Sequence, residues 1–554
     1  MKNTLQRFAP VLALGLLTLA FFWKILLTNL ILVGVDVFLY FYPYRAYVAD
    51  ALLGGRFPLW NPHIFMGVPF LANSQAGLLY PPNWLFLWAS PPKQVAYSIG
   101  LHIWLAGVGA YCFARRSLNL TRPGALVGAM VFALGGFLGA QAEHINQLQV
   151  SAWLPWIFWL FDRLRTGPPG DAVAAGPLLR EAALPFRQTV ALLGVIIALM
   201  LLAGHSQSVY ISLFGLGIYG LFQMQYPLRS PRKLAARLLA ALAGFVPLLA
   251  AIALALLVSA AQLWPTLQLA QHSLRSGGLS YNEAVAFSLN PLALGYTLLP
   301  PYGVNLEMKL GQAFSEFVAY IGLLPLLLAG WAALRLLRAG AGRVRGLAVT
   351  GAAGLLLALG VFTGPLYILL YRFVPGFNLF RVPARWLLLY ALAAAMLAGA
   401  GFDRLKGALR PLAAGLIALE LFIAAQELRY NQPTAPEAYS SLRPAIAQLL
   451  AAQSPTDRFL SLSGIVYDPG DLQDIHTIFD SQLPPRAVYD YIIAAKQKEV
   501  LFFNLPMVYH LNAVDGYDGG LLPLERFMDL ERLFLADDAL SPDGRLREKL
   551  DRVP

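Results

Sequence analysis

Seven polar side chains stand where long apolar stretches end, and their types suit group transfer onto a hydroxyl. Asp36 follows one such stretch, in Gly34-Val35-Asp36-Val37. Glu143 and His144 follow another, in Gln141-Ala142-Glu143-His144. His205 and Gln207 separate two more, in Gly204-His205-Ser206-Gln207. Arg381 and Arg385 precede a further one, in Phe380-Arg381-Val382-Pro383-Ala384-Arg385. A carboxylate such as Asp36 can act as general base on an acceptor hydroxyl. Arginines can hold a phosphate leaving group through charge-assisted, bidentate bonds. Ionisable groups at membrane depth cost about 2.5–3.5 kcal/mol at a helix centre, so charges at the ends of apolar runs ask for a reason.

Each residue also has a plainer reading. Asp36 can cap a short interfacial helix. Glu143 with His144 can be a solvated turn, and His205 with Gln207 can bond neighbouring helices. Arg381 and Arg385 can snorkel to lipid headgroups or meet acidic partners from outer loops. Pro383 drives Val382 towards an extended conformation and suits a first helical turn, which puts Arg385 in that turn. Glu420, deep in the last apolar run, reads as a packing partner of another helix. Gly124, Gly128, Gly135 and Gly139 allow close helix approach.

The elements that must carry these residues are membrane helices. The chain has 554 residues, 58% hydrophobic and 13% charged, against roughly 25% charged in a soluble globule. About eleven apolar runs approach the roughly 20 residues needed to cross a bilayer. They are Ala9–Val33, Val95–Ala114, Ala125–Ala140, Val150–Leu160, Thr189–Ala203, Val209–Phe222, Leu239–Leu263, Phe317–Leu334, Leu347–Leu370, Trp386–Gly401 and Leu412–Ala425. The first, preceded by Lys2 and Arg7, is longer than a signal-peptide core and has no cleavage site, so it reads as an uncleaved anchor. The net charge of +11 comes from short clusters between apolar runs, which argues against a nucleic-acid partner. The sole cysteine, Cys112, cannot form an intrachain disulfide.

Basic residues fall in alternate loops: Arg115, Arg116 and Arg122; Arg163, Arg165, Arg180 and Arg187; Arg229, Arg232, Lys233 and Arg237; Arg335, Arg338, Arg343 and Arg345; Arg404, Lys406 and Arg410. The positive-inside rule makes these loops and the N-terminus cytoplasmic. The seven polar residues then share the outer side. The chain reads as an all-α polytopic domain over residues 1–427, with outer loops 34–94 and 264–316. A soluble α/β segment over 428–554 faces away from the cytoplasm. Its strand-like run Phe459–Val466 and its turn Asp468-Pro469-Gly470 support the α/β reading. It ends in a polar helical stretch with no closing element, as an incomplete domain would.

The first outer loop resembles the YfhO family of bacterial multi-spanning membrane proteins. The likeness is carried by Asp36 with Tyr42-Pro43-Tyr44, by Gly55-Arg56-Phe57-Pro58-Leu59-Trp60-Asn61-Pro62, and by Gly67-Val68-Pro69. It continues through Asn73-Ser74-Gln75-Ala76-Gly77-Leu78-Leu79-Tyr80-Pro81-Pro82-Asn83, Gly204-His205-Ser206-Gln207, Tyr320-Ile321-Gly322 and Phe380-Arg381-Val382-Pro383-Ala384-Arg385. Asn504 with Gly516-Tyr517-Asp518 matches the outer-domain pattern. The resemblance implies a GT-C glycosyltransferase fold, a polyprenyl-phosphate sugar as donor, and an acid in the first outer loop serving the reaction. Only Asp36 matches that position, and Val37 stands where many GT-C enzymes carry a second acid.

The resulting expectation is sugar transfer from a polyprenyl-phosphate donor to a cell-envelope glycan or polymer, at the outer face of a bacterial cytoplasmic membrane. Asp36 would be the base and Arg381 and Arg385 the phosphate holders. Tyr42, Tyr44, Arg45, Glu143, His144, His205 and Gln207 would shape the pocket. There is no metal-ligand spacing, no phosphate-cradling glycine loop and no nucleophile elbow, so no cofactor is expected. Two rivals share the fold: a transporter or flippase of lipid-linked glycans, and a non-catalytic assembly protein. A flippase would need polar groups through the membrane depth and often internal repeats.

Overall fold

The computed structural model describes residues 2–166, 185–222, 243–274, 276–311, 313–338, 342–454, 456–461, 470–533, 535, 538 and 540. The basic residues Arg180, Arg229, Arg232, Lys233 and Arg237 lie outside the described residues. So do positions 462–469 of the expected strand and turn.

Helices dominate. In chain order they include α1 (Lys2–Phe21), α2 (Tyr42–Leu53), α3 (Pro91–Arg116), α4 (Arg122–Leu134), α5 (Ile145–Ser151) and α6 (Leu154–Thr166). Then come α7 (Phe186–Leu202), α8 (Ser206–Phe222), α9 (Val246–Val258), α10 (Ala260–Gln271), α11 (Leu323–Arg338) and α12 (Gly342–Ala358). The last to position the site are α13 (Leu387–Phe402), α14 (Leu409–Ala425) and α15 (Pro485–Glu499).

By length and composition, three described helices can cross a membrane: Pro91–Arg116, Arg122–Glu143 and Pro383–Phe402. A fourth crossing exists if α9 and α10, bent by 77°, form one broken span. The remaining expected spans are shorter or interrupted. Ala9–Val33 breaks at Phe22, whose ring stacks on Tyr430 at 4.0 Å. Val150–Leu160 straddles the junction of α5 and α6, and Leu347–Leu370 is interrupted after Ala358 by a 3-10 turn.

Helix α3 shows how sequence sets these limits. Proline at its start needs no donated hydrogen bond, and Arg115 and Arg116 in its last turn favour the negative dipole end. Its 26 residues span about 39 Å. Helix α13 is apolar all round and buried over its whole length, as a helix enclosed by others must be. It packs closely on α4: a Cβ at Gly128 would lie 3.2 Å from the Ala395 carbonyl oxygen. The glycines of this stretch therefore serve packing. Glu420 also serves structure, accepting from the Tyr302 hydroxyl at 2.6 Å and from the Leu324 amide at 3.3 Å, near the start of α11.

The C-terminal segment differs from the α/β expectation. Its described residues form helices, with one isolated parallel bridge between Phe459 and Ala513. The sheet among the described residues is a two-stranded antiparallel pair in the first outer loop, Trp60–Asn61 on Val68–Pro69. The C-terminal segment is tied to that loop. The amides of Phe65 and Met66 donate to the carbonyls of Asp515 and Ala513, and Thr434 pairs with Ile31. One continuous apolar core runs from Leu14 through the helices to Leu535. Covering the edges of a small hairpin in this way satisfies its backbone groups.

Candidate functional site

Asp36 is helical, at φ −71° and ψ −38°, and its side chain caps no helix. It precedes a π-helical turn, Val37–Phe41, an irregularity that recurs at functional sites. Its carboxylate meets His144 Nε2 at 3.3 Å. His144 is the N-cap residue of α5. Its Nδ1 lies 3.1 Å from Gln141 Oε1, and Gln141 donates in turn to the Ser315 carbonyl at 3.1 Å. Both ring nitrogens thus face acceptors, which calls for the doubly protonated imidazolium. Burial opposes that charge, but Glu316 and Asp36 overcome it and raise the His144 pKa to about 9.

Glu316 is the acid that the sequence reading left out. It lies 3.9 Å from His144 Nε2 and accepts from Arg385 Nε at 3.1 and 3.0 Å, with a further bond from Arg385 Nη2. Burial raises its pKa, yet Arg385 and His144 hold it at about 2. Arg385 Nη1 donates to Gln207 Oε1 at 2.8 Å, and Gln207 Nε2 donates to the Arg381 carbonyl at 2.5 Å. The string Asp36–His144–Glu316–Arg385 therefore alternates acid and base, and it ends on the neutral amide of Gln207. It joins five segments of the chain.

The residue before Pro383 departs from expectation. Val382 adopts φ +65° and ψ +70° rather than an extended conformation. A β-branched residue there is strained. Three bonds hold it: its amide donates to the Ala286 carbonyl at 3.1 Å, its carbonyl accepts from Gln207 at 3.3 Å, and Ala384 donates to the Phe287 carbonyl at 3.4 Å. Arg385 then lies in a 3-10 turn, Pro383–Trp386, that leads into α13. His205 lies in the break between α7 and α8. Its Nδ1 accepts from the Ser208 amide at 3.2 Å, which leaves the proton on Nε2. Burial and then Arg385 push its pKa well down, so it is neutral. A small cavity beside Gln207 is lined by Tyr210, Ile211, Tyr367, Phe377, Phe380 and Trp386.

Glu143 belongs to a second charge junction. A Cβ at Gly34 would lie 3.2 Å from its Oε1, so glycine permits the approach. Arg429 reaches Glu143 at 3.3 Å, Glu307 at 3.2 Å and Asp490 at 3.5 Å, and Arg486 also pairs with Glu307. Burial raises the Asp490 pKa to about 6.

Tyr42, Tyr44 and Arg45 stand apart from the string. The buried Tyr42 hydroxyl donates to the Leu32 carbonyl at 2.9 Å. Tyr44 stacks on Tyr40 at 4.2 Å, and both hydroxyls approach Asp518 Oδ2, to which Asn73 donates at 2.5 Å. Arg45 is 6% exposed. Burial lowers its pKa to about 10, so it stays cationic at neutral pH. Glu316, Glu307, Arg429 and Asp490 escaped the sequence reading because nothing local marks them. Asp518 drew notice only through the family likeness. Among the described residues, no group of three or more His, Cys, Asp or Glu side chains could hold a metal ion.

No protein-family model and no curated protein matches the chain. Solved structures similar to it include three membrane proteins. One is the arabinofuranosyltransferase AftD from Mycobacteria, at 15% identity and TM-score 0.47, covering 81% of this chain and 29% of that one. Another is the archaeal oligosaccharyltransferase AglB from Archaeoglobus fulgidus, in complex with an inhibitory peptide and a dolichol-phosphate, at 13% and 0.43, covering 92% and 64%. A third is ArnT from Cupriavidus metallidurans bound to undecaprenyl phosphate, at 12% and 0.39, covering 91% and 77%. The chain thus spans less than two thirds of the first two. Likeness at this level carries no statement about chemistry or substrate.

Proposed function

We propose that this chain is a GT-C-type membrane glycosyltransferase of the YfhO kind. In this reading it moves a sugar from a polyprenyl-phosphate donor to a hydroxyl of a cell-envelope glycan or polymer. The observation that carries the reading is the contact of Asp36 with His144, backed by Glu316 and Arg385. A carboxylate oriented by a second group, itself oriented by a third, is how a positioned base is built. The acceptor oxygen forms the new bond to the anomeric carbon as the bond to the phosphate oxygen breaks. The acceptor proton passes to Asp36, and the polyprenyl phosphate leaves with the electron pair.

Arg381 and Arg385 meet that phosphate in this reading, with Arg385 sharing its charge with Glu316. Glu143, His205 and Gln207 line the sugar side. The aromatic cavity beside Gln207 suits an isoprenoid chain. The protein lies in the bacterial cytoplasmic membrane, with its N-terminus inside and its C-terminal segment outside. A non-catalytic assembly role is the second reading, favoured by the pairing of Arg385 with Glu316, which already neutralises one phosphate holder.

Envelope glycans of cells with and without the protein, and of cells rescued with Asp36→Asn, test the reading. The variant inserts normally and loses transfer about 100- to 10,000-fold; full rescue by it removes Asp36 as base. In a Cys112→Ser background, cysteines placed after Tyr430 and within 54–83 react with impermeant thiol reagents in intact cells, and one near Arg343 does not. Equal labelling of both sets refutes the orientation.

A further inference from the structure

Arg45 is a buried cation with no anion beside it. Among the described residues its guanidinium makes no ion pair and no side-chain hydrogen bond, although it is 6% exposed. Its polar neighbours are neutral and already committed. The Tyr80 hydroxyl accepts from Trp153 Nε1 at 2.8 Å and donates to His102 Nε2 at 2.7 Å. His102 Nδ1 donates to the Ser98 carbonyl at 2.7 Å. Asn83 donates to the Gly77 carbonyl at 3.0 Å and accepts from Gln149 at 2.7 Å. Burying a charge without a counter-charge is costly, and a free-standing protein normally pairs it.

A tight glycine turn packs beside the guanidinium. Gly77 has φ +59°, and a Cβ there would lie 2.8 Å from Asn83 Nδ2 and 4.0 Å from Arg45 Nη2. Any side chain at position 77 would clash with Asn83 and touch the guanidinium. The same Cβ would lie 4.0 Å from the Ala203 carbonyl oxygen, at the α7–α8 break that carries His205 and Gln207. Gly204 in that break fits against the Ser74 backbone, where a Cβ would come within 2.0 Å. The loop Asn73–Gly77 thus packs Arg45 against the break that also reaches Arg385.

We infer that Arg45 is a phosphate-binding site, separate from Arg381 and Arg385, whose ligand is a phosphate monoester or free phosphate. The guanidinium offers five N–H donors in a planar fork that fits phosphate oxygens. The neutral wall supplies no competing negative charge. An anion at Arg45 is called for by the buried charge and not by the transfer reaction.

The test uses the purified full chain in nanodiscs of phosphatidylcholine, with inorganic phosphate and farnesyl phosphate as probes and the thermal midpoint as readout. Binding raises the wild-type midpoint by roughly a few degrees. A response to both probes that Arg45→Met reduces identifies free phosphate as sufficient; a response to farnesyl phosphate alone that Arg45→Met reduces identifies a lipid headgroup. Arg45→Met removes an unpaired charge, so without probe it melts at or above wild type; it loses the response to inorganic phosphate and keeps, with farnesyl phosphate, only the part that Arg381 and Arg385 supply. Arg45→Lys keeps the charge without the fork, responds more weakly, and decides the matter if the methionine variant does not fold. Wild type responding to neither probe, or either variant responding in full, overturns the site. Asp36→Asn keeps the response while losing transfer, so failure of one assignment is told from failure of the other.

Discussion

Two arginine-centred junctions sit on either side of the adjacent pair Glu143 and His144, and they differ in charge balance. Around Arg385, two acids (Asp36 and Glu316) meet two cations (His144 and Arg385). Around Arg429, three acids (Glu143, Glu307 and Asp490) share Arg429 and Arg486. Burial raises a carboxylate pKa at both. Matched cations reverse it for Glu316, which falls to about 2, while the acid excess leaves Asp490 at about 6. Burial alone does not decide protonation; the ratio of buried charges does.

The largest expected effect breaks the balanced junction. Arg385→Ala leaves Glu316 buried without its main partner and costs about 3–5 kcal/mol of stability, read as a lower thermal midpoint in detergent. A loss under about 1 kcal/mol would mean the pair is solvent-screened. A second measurement is the pH dependence contributed by His144. Its folded pKa is raised above the unfolded value, so its contribution is complete below about 6.5 and is lost as pH rises through about 9. The amount is on the order of 2–3 kcal/mol, and His144→Gln removes that slope. Persistence of the slope in the variant assigns it elsewhere.

Arg429→Met breaks the acid-rich junction and costs about 1.5–3 kcal/mol. The loss is smaller than at Arg385 because Asp490, raised by burial to about 6, can take up a proton. It should loosen the C-terminal segment, seen as faster proteolysis beyond Tyr430 than in Arg385→Ala. Equal cleavage of the two variants would remove Arg429 as a tether. The smallest effect sharpens the comparison. Asp490 has a raised folded pKa, so stability falls as pH rises from about 4 to about 6. Asp490→Asn flattens that fall and gains about 1 kcal/mol at pH 7.5. A loss of stability there would show that Arg429 needs this charge.

Part of the site was legible in the sequence. Asp36, His144, His205, Gln207 and Arg385 drew attention because polar groups at the ends of apolar runs are rare on energetic grounds. Glu316 raised no such signal. It lies in a loop where an acid is ordinary, 69 positions from Arg385. Tyr42, Tyr44 and Arg45 were grouped with Asp36 by nearness in sequence. The helical path from Asp36 through α2 turns them instead to Leu32, to Asp518 and to the Gly77 loop. Of the strand-like run Phe459–Val466 only residues 459–461 are described, and Phe459 forms a bridge to Ala513.

By itself the sequence determined the quantities that are sums over neighbours: apolar runs, their ends, the basic loops between them, and which end residues carry charge. Those follow from transfer free energies, which each residue brings with it. The tertiary structure decided which charge meets which: Glu316 with Arg385, Arg429 with three acids, and Arg45 with none. Pairing energy depends on distance and local dielectric. Gln207 reaches Arg385 across 178 positions, a separation at which only the packing of α5, α8 and α13 sets the distance.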